Sequence, residues 1–318
     1  MRAAGYSGPF LTGARKRGVY FFCRHINCKM KENLKTGLSI LIILMLLPYV
    51  AVVFRTGSMK GIEGQMEEPG LEMYVMGILP GQMPAAYEEE ALKAQAVVIR
   101  TNLLRESMEF YGTEDPKAAA ASLRERDLQE MGFTYYTPGE LEELWGYDQF
   151  EWYEERIEKA VEDTAGEILA VEGKPVDLPF HAVSAGRTRE GSLLGESYTY
   201  LEPVECPGDV EAADYLKIQT VQLNESLEIR KRDEAGYVTE VRLGEEVLTG
   251  EEFRSRFSLN SSCFTAERVE DGVRITTKGL GHGLGLSMYQ ANLQALKGCS
   301  YLEILSYFYK NVECISSL

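Results

Sequence analysis

The chain has 318 residues, 45% of them hydrophobic and 26% charged, with 30 Gly and 11 Pro, which excludes collagen-like, low-complexity and wholly disordered readings. Residues 1–37 hold eight Lys/Arg against Glu32 alone, so of the 33 basic and 49 acidic groups the remaining chain keeps 25 and 48, a net of −23. A body this acidic has no basic surplus to displace counterions from phosphates, and nucleic acid is excluded as a partner.

In chain order, residues 38–54 (LSILIILMLLPYVAVVF) carry no charge and would make about 25 Å of helix, near the lower limit for crossing a bilayer core. Cations crowd the N-terminal side of this run. The positive-inside rule therefore keeps the N-terminus in the cytoplasm and sends the acidic body outside. The segment reads as an uncleaved anchor, since no A-x-A site follows it; a cleaved signal would export the body equally. Met30 to Lys35 makes an ordinary basic leader by itself, so translation is expected to start at Met30, with residues 1–29 having no fold of their own. Residues 55–70 are Gly-rich and polar, and read as a linker.

A short strand is expected over 73–79, ending at Pro80-Gly81. A helix follows from Pro84, with Leu92, Ala96, Ile99 and Leu103 on one face and a stop near Gly112. Glu88, Glu89 and Glu90 then complement its dipole. Residues 113–150 are charged and read as a helical insertion, with a capping box at Thr137 and Glu140. Ile157, Ala160, Val161 and Thr164 form a further helical face closed by Gly166. Beyond it the texture turns to strands: 167–171 and 175–183 around a turn at 172–174, then 216–223, 237–243 and 272–277. Thr249/Glu252 and Ser300/Glu303 each open a short helix. Helices and strands come in separate runs, so the fold class is α+β, with antiparallel strands and several short helices.

Three stretches carry chemistry. Residues 279–287 (GLGHGLGLS) place Gly at every second position around His282, where the backbone can bend sharply and come close to a ligand, and Ser287 can cap the next helix. The stretch lacks the G-K-[ST] of a phosphate cradle. Residues 180–188 (FHAVSAGRT) hold His181 and Ser184, without a G-x-S-x-G elbow or an identifiable orienting acid. Residues 79–84 (LPGQMP) make a turn from which Gln82 projects near the N-terminus of the long helix. Cys206, Cys263, Cys299 and Cys314 follow the apolar run, where disulfides are permitted, and their three possible pairings stay open. There is no C-x-x-C and there are three His, which argues against a zinc cluster. No cofactor is called for.

Together, residues 74–101 (YVMGILPGQMPAAYEEEALKAQAVVIRT), 180–188 and 279–291 (GLGHGLGLSMYQA) resemble the three signature regions of the sporulation stage II protein D, or amidase-enhancer, family. The pattern A-L-K-A-Q-A-x-x-x-R-T is the most specific of them, and the likeness runs over about 70–318 apart from the charged insertion. It implies a peptidoglycan-directed, membrane-anchored sporulation protein. The family's lytic transglycosylases cleave peptide-stripped glycan strands during forespore engulfment, leaving 1,6-anhydro ends. It also implies a cell-wall amidase and a membrane scaffold as partners. The family's catalytic Glu acts as general acid and then base. This chain has Gln82 there, an amide that can donate a hydrogen bond and cannot release a proton. The resemblance leaves two readings: turnover through another carboxylate, with Glu72 and Glu88 nearest, or a glycan-binding member that positions or stimulates an amidase. By motif position, Arg100 would orient the groove wall, and His181, Ser184, His282, Ser287 and Tyr289 would contact glycan. Ala185, Met288 and Gln290 depart from the motif residues.

Overall fold

The computed structural model describes residues 70–316, which belong to one compact unit. The expected cytoplasmic segment, the anchor at 38–54 and all but the last residue of the linker lie outside the described residues. Among those that are described, no helix is long and apolar enough to cross a membrane.

The chain enters through helix α1 (Leu71–Gln82), where a strand was expected over 73–79. Tyr74, Val75, Ile78 and Leu79 are buried together, a spacing that only a helix puts on one face. A short, wholly apolar run does not show its period, and Pro80-Gly81 looks like a strand end. Pro80 instead sits in the helix's last turn, where it leaves the Met76 carbonyl without its helical N–H partner. The glycines serve packing: a Cβ on Gly77 would lie 2.2 Å from the Tyr135 ring, and one on Gly81 2.6 Å from that of Tyr136.

The long helix α2 (Glu89–Tyr111) starts five residues after Pro84, because Pro84–Tyr87 closes a turn of its own (Tyr87 N–H to Pro84 C=O, 2.9 Å). It ends as expected on Gly112 in the left-handed conformation. Glu89 opens it as a dipole complement, and the Lys159 and Lys93 ammonium groups hold its carboxyl down at about 2. The charged insertion is helical, with α3 (Pro116–Ser122), α4 (Glu125–Leu128) and α5 (Pro138–Trp145), and the Thr137–Glu140 capping box is present. It is not an appended lobe, since Leu123 and Leu128 join the main core. Helix α6 (Tyr147–Glu162) then buries Ile157, Ala160 and Val161.

Strand β1 (Glu167–Val171) pairs antiparallel with β2 (Lys174–Pro175) and with the C-terminal β11 (Glu313–Ser316). The expected strand over 175–183 shrinks to β2 and β3 (Phe180–His181), because Pro175 and Pro179 cannot donate to a ladder. Residues 216–278 build two antiparallel sheets. One has the order β4 (Leu216–Val221), β9 (Gly272–Lys278), β8 (Phe264–Val269), and the other β5 (Leu227–Arg232), β6 (Val238–Leu243), β7 (Glu246–Leu248). With helix α7 (Gly250–Arg256) they enclose a second core around Phe253, Phe264, Val241 and Ile275. Strand β10 (Leu286–Ser287) then runs parallel to β3, and helices α8 (Met288–Leu296) and α9 (Tyr301–Phe308) return to the first core. The α+β expectation holds, and the capping boxes at 249/252 and 300/303 are both formed.

Candidate functional site

Gln82 is the last residue of α1. Its Oε1 accepts a hydrogen bond from Nε2 of Gln95 (3.1 Å), which is fully buried on α2. The turn that follows is fastened from two sides. The Arg156 guanidinium on α6 donates to the carbonyls of Ala85 and Tyr87, and the Glu88 N–H donates to Asn292 Oδ1 on α8 (2.8 Å). Glu88 is exposed at the N-cap of α2. Glu72 sits ten residues before Gln82 on the same helix, about 15 Å away along the axis. It accepts both Nε (2.9 Å) and Nη2 (2.6 Å) of Arg100, and also the Gly166 N–H (3.0 Å). Arg100 is itself fully buried and bonds further to the carbonyls of Val161 and Glu167. The pair thus ties α1, α2 and the start of β1 together, away from the Gln82 turn.

The Gly-rich stretch lies flush on residues 179–184. Gly279, Gly281, Gly283 and Gly285 all have positive φ, from 67° to 119°. A Cβ on them would meet, in turn, the Ser184 backbone (2.8 Å), His181 Cβ (2.6 Å), the Tyr237 ring (2.4 Å) and Pro179 C=O (1.9 Å). The expected close backbone approach is therefore present, but toward the protein's own strand. Leu280 and Val183 exchange backbone hydrogen bonds (2.7 and 3.1 Å), and His181 faces Ser287 in the β3–β10 ladder.

Asp209 joins these two stretches, from a 3₁₀ turn at Pro207–Glu211. Its Oδ2 accepts the Ser184 N–H (2.7 Å) and the Ser287 hydroxyl (2.7 Å). Burial raises its pKa, against the lowering effect of those bonds. This is the acid the sequence did not reveal. Its partners lie 25 and 78 residues away, and nothing in Cys206-Pro207-Gly208-Asp209 marks it locally. The one signal was two serines in loops destined for burial, which need an acceptor.

His181 is buried, with Nδ1 3.0 Å from the Leu284 carbonyl. That contact makes Nδ1 the donor and leaves Nε2 as a bare lone pair without a partner. Desolvation by burial, with the His282 ring centred 5.7 Å away, pushes its pKa down to about 3. His282 Nδ1 accepts the Leu284 N–H (3.1 Å), and burial lowers its pKa as well. His282 lines a cavity of about 480 Å³ with Asp177, Arg189, Leu193, Leu194 and Glu251 among others. No residue of the Gln82 turn lines that cavity. Arg189 there is paired to Asp233 (2.6 Å) and Glu251 (3.1 Å). Tyr289 is half-buried at the start of α8, its N–H on the Ala182 carbonyl (3.1 Å). Burial raises the pKa of Tyr87, and the nearby Tyr289, Asp209 and Asp214 raise it further. The Glu88 N–H bond to Asn292 Oδ1 places the end of the Gln82 turn beside α8.

Neither serine hydroxyl bonds to a histidine, so no nucleophile–base pair exists among the described residues here. The arrangement offers hydrogen-bonding amides, phenols and two imidazoles around Asp209, whose pKa burial raises.

A model of the SpoIID family, described as Stage II sporulation protein, matches residues 60–170. The chain is 30% identical to "Stage II sporulation protein D" of Bacillus subtilis, over 84% of this chain and 79% of that protein. The protein of the same name from Bacillus amyloliquefaciens is equally similar, over 84% and 78%. An uncharacterized protein of Brachyspira hyodysenteriae is 26% identical over 79% of this chain and 68% of its own length.

The chain belongs to the stage II sporulation protein D family.

The three sequence stretches quoted above as this family's signatures are linked: the Gln82 turn is tied to α8 by the Glu88 N–H bond to Asn292, and residues 180–188 pack on residues 279–287. Among their residues, Ser184 and Ser287 are fully buried on Asp209, Tyr289 is half-buried, and His282 reaches a cavity. Arg100 stands apart, inside the core with Glu72. Membership gives a sporulation role; how this member acts is a matter of the geometry just described.

Proposed function

We propose that this stage II sporulation protein D family member is a membrane-anchored, exported protein that engages peptide-stripped glycan strands of peptidoglycan and turns them over feebly. The observation that carries this reading is the Gln82–Gln95 pair, an amide hydrogen-bonded to an amide where a glycosidic acid is expected. An amide can hold a glycosidic oxygen by hydrogen bonding. Loss of general acid catalysis, however, costs ~10²–10⁴-fold in rate. Of the substitutes, Glu72 is about 15 Å down the helix and spent on Arg100, and Glu88 lies out on the N-cap. The protein then serves sporulation by binding glycan and positioning a wall amidase with its membrane scaffold. The reading in which it is a working lytic transglycosylase would need another acid, and Asp209, the remaining candidate, is buried with its Oδ2 taken by the Ser184 N–H and the Ser287 hydroxyl.

The test uses the full chain in detergent, natural and as Gln82→Glu, on peptide-free glycan strands, with mass spectrometry for 1,6-anhydro-muramyl ends. At least ~10²-fold more product from Gln82→Glu than from the natural chain supports a binder built on an enzyme groove. Equal product from the natural chain overturns it.

A further inference from the structure

Apart from the glycan reading, and independent of its fate, one surface of the molecule lacks an explanation. Helices α5 and α6 put large apolar side chains in water. Tyr147 is 83% exposed, Leu144 58% and Trp152 51%. Behind them the rings are contiguous: Trp152 to Tyr153 at 4.8 Å, Tyr153 to Trp145 at 5.2 Å and Trp145 to Phe150 at 6.2 Å between centroids. A connected aromatic patch of this kind is costly to leave in water and marks an interaction surface.

Its surroundings select the partner. Residues 138–162 hold nine carboxylates and two cations. Both cations are turned away: Arg156 bonds to the Ala85 and Tyr87 carbonyls under the Trp152 ring, and Lys159 pairs with Glu89 at 2.8 Å. Glu142, Glu143, Asp148, Glu151, Glu155 and Glu158 stay exposed beside the rings. Such a field repels anionic lipid headgroups and the lactyl carboxylates of peptide-free glycan alike. It attracts cationic side chains, whose long stems lie well on aromatic faces.

We propose that the α5–α6 face is a docking surface for a basic, amphipathic polypeptide segment of a partner protein, with Tyr147 and Trp152 as its apolar anchors and the flanking carboxylates as its steering field.

The molecule carries its own reporter, because its two tryptophans, Trp145 and Trp152, both lie in this patch. Full-length protein in detergent is titrated with a helical Lys/Leu amphipathic peptide, with peptide-free glycan strands and with phosphatidylglycerol vesicles, while tryptophan emission is followed. The peptide is expected to shift the emission to shorter wavelength, with at least tenfold weaker binding in high salt. Glu151→Lys with Glu155→Lys is expected to weaken it tenfold or more without changing the circular dichroism, whereas Glu270→Lys with Asp271→Lys leaves it intact. In sporulating cells, a photo-crosslinking residue at Tyr147 should give one protein adduct whose linked peptide is net basic. The proposal is overturned if glycan or vesicles shift the emission and the peptide does not, or if both charge reversals act equally. A non-protein or acidic adduct, or no response to any probe, also overturns it.

Discussion

Gln82 and glutamate have the same shape and differ in one terminal group, so Gln82→Glu is a test with little steric cost. Restoring a carboxyl beside buried Gln95 should raise glycan cleavage by ~10²-fold or more, while changing the affinity for intact strands little. Glu72 has a different job. Its removal leaves the Arg100 guanidinium buried and uncompensated, so Glu72→Gln should cost about 3 kcal/mol, read as a lowered urea midpoint. Were Glu72 also the proton donor, that variant would in addition abolish the residual glycan cleavage of the folded protein. His181 gives a pH signature. Its folded pKa, about 3, lies below the unfolded value of roughly 6.5, so between these two values the unfolded chain binds a proton that the native state refuses. That contribution is whole above the unfolded value and falls away as pH drops toward the folded one. Going from pH 7 to pH 5 should cost about 2 kcal/mol, and His181→Gln should flatten that slope in urea titrations at the two pH values.

Among elements, legibility followed period and caps. The long helix could be read because Leu92, Ala96, Ile99 and Leu103 repeat over several turns and Gly112 stops them; all three capping boxes likewise declare themselves within four residues. The helix at 71–82 could not, because a run apolar on every side has no visible period and its glycines answer to Tyr135 and Tyr136, some 60 residues later. Asp209 was hidden for the same reason, its meaning lying in serines far along the chain. The Gly-rich loop was legible as a close approach, but not as to what it approaches. Gly285→Ala should therefore cost more than its left-handed φ alone, about 3 kcal/mol, since the new Cβ meets the Pro179 carbonyl at 1.9 Å. Gly298→Ala, also at positive φ but with nothing within 4 Å, should cost about 1 kcal/mol. Equal thermal shifts for the two would mean that fit against the strand is unimportant.

For the whole molecule, the two cores divide the labour: the helical one carries the Gln82 turn, and the β unit supplies Tyr237 beneath the Gly-rich loop. The export expected from the sequence belongs at this scale too. Protease added to intact protoplasts should digest the acidic body and spare an N-terminal fragment of the anchored chain. Complete protection of the body would place it in the cytoplasm and remove the glycan from its reach.

The alternation in residues 279–285 has one more consequence, which concerns phase. Every second residue is a glycine pressed on the protein's own surface, three on residues 179–184 and Gly283 on the Tyr237 ring, while His282 and Leu284, between them, line the cavity. The stretch is a two-sided tape whose sides are assigned by parity. Deleting one residue at position 282 would keep the composition nearly intact and yet swap the sides beyond that point, driving side chains into the Tyr237 ring and the Pro179 carbonyl where only hydrogen atoms fit. Here the count of residues matters more than their kind.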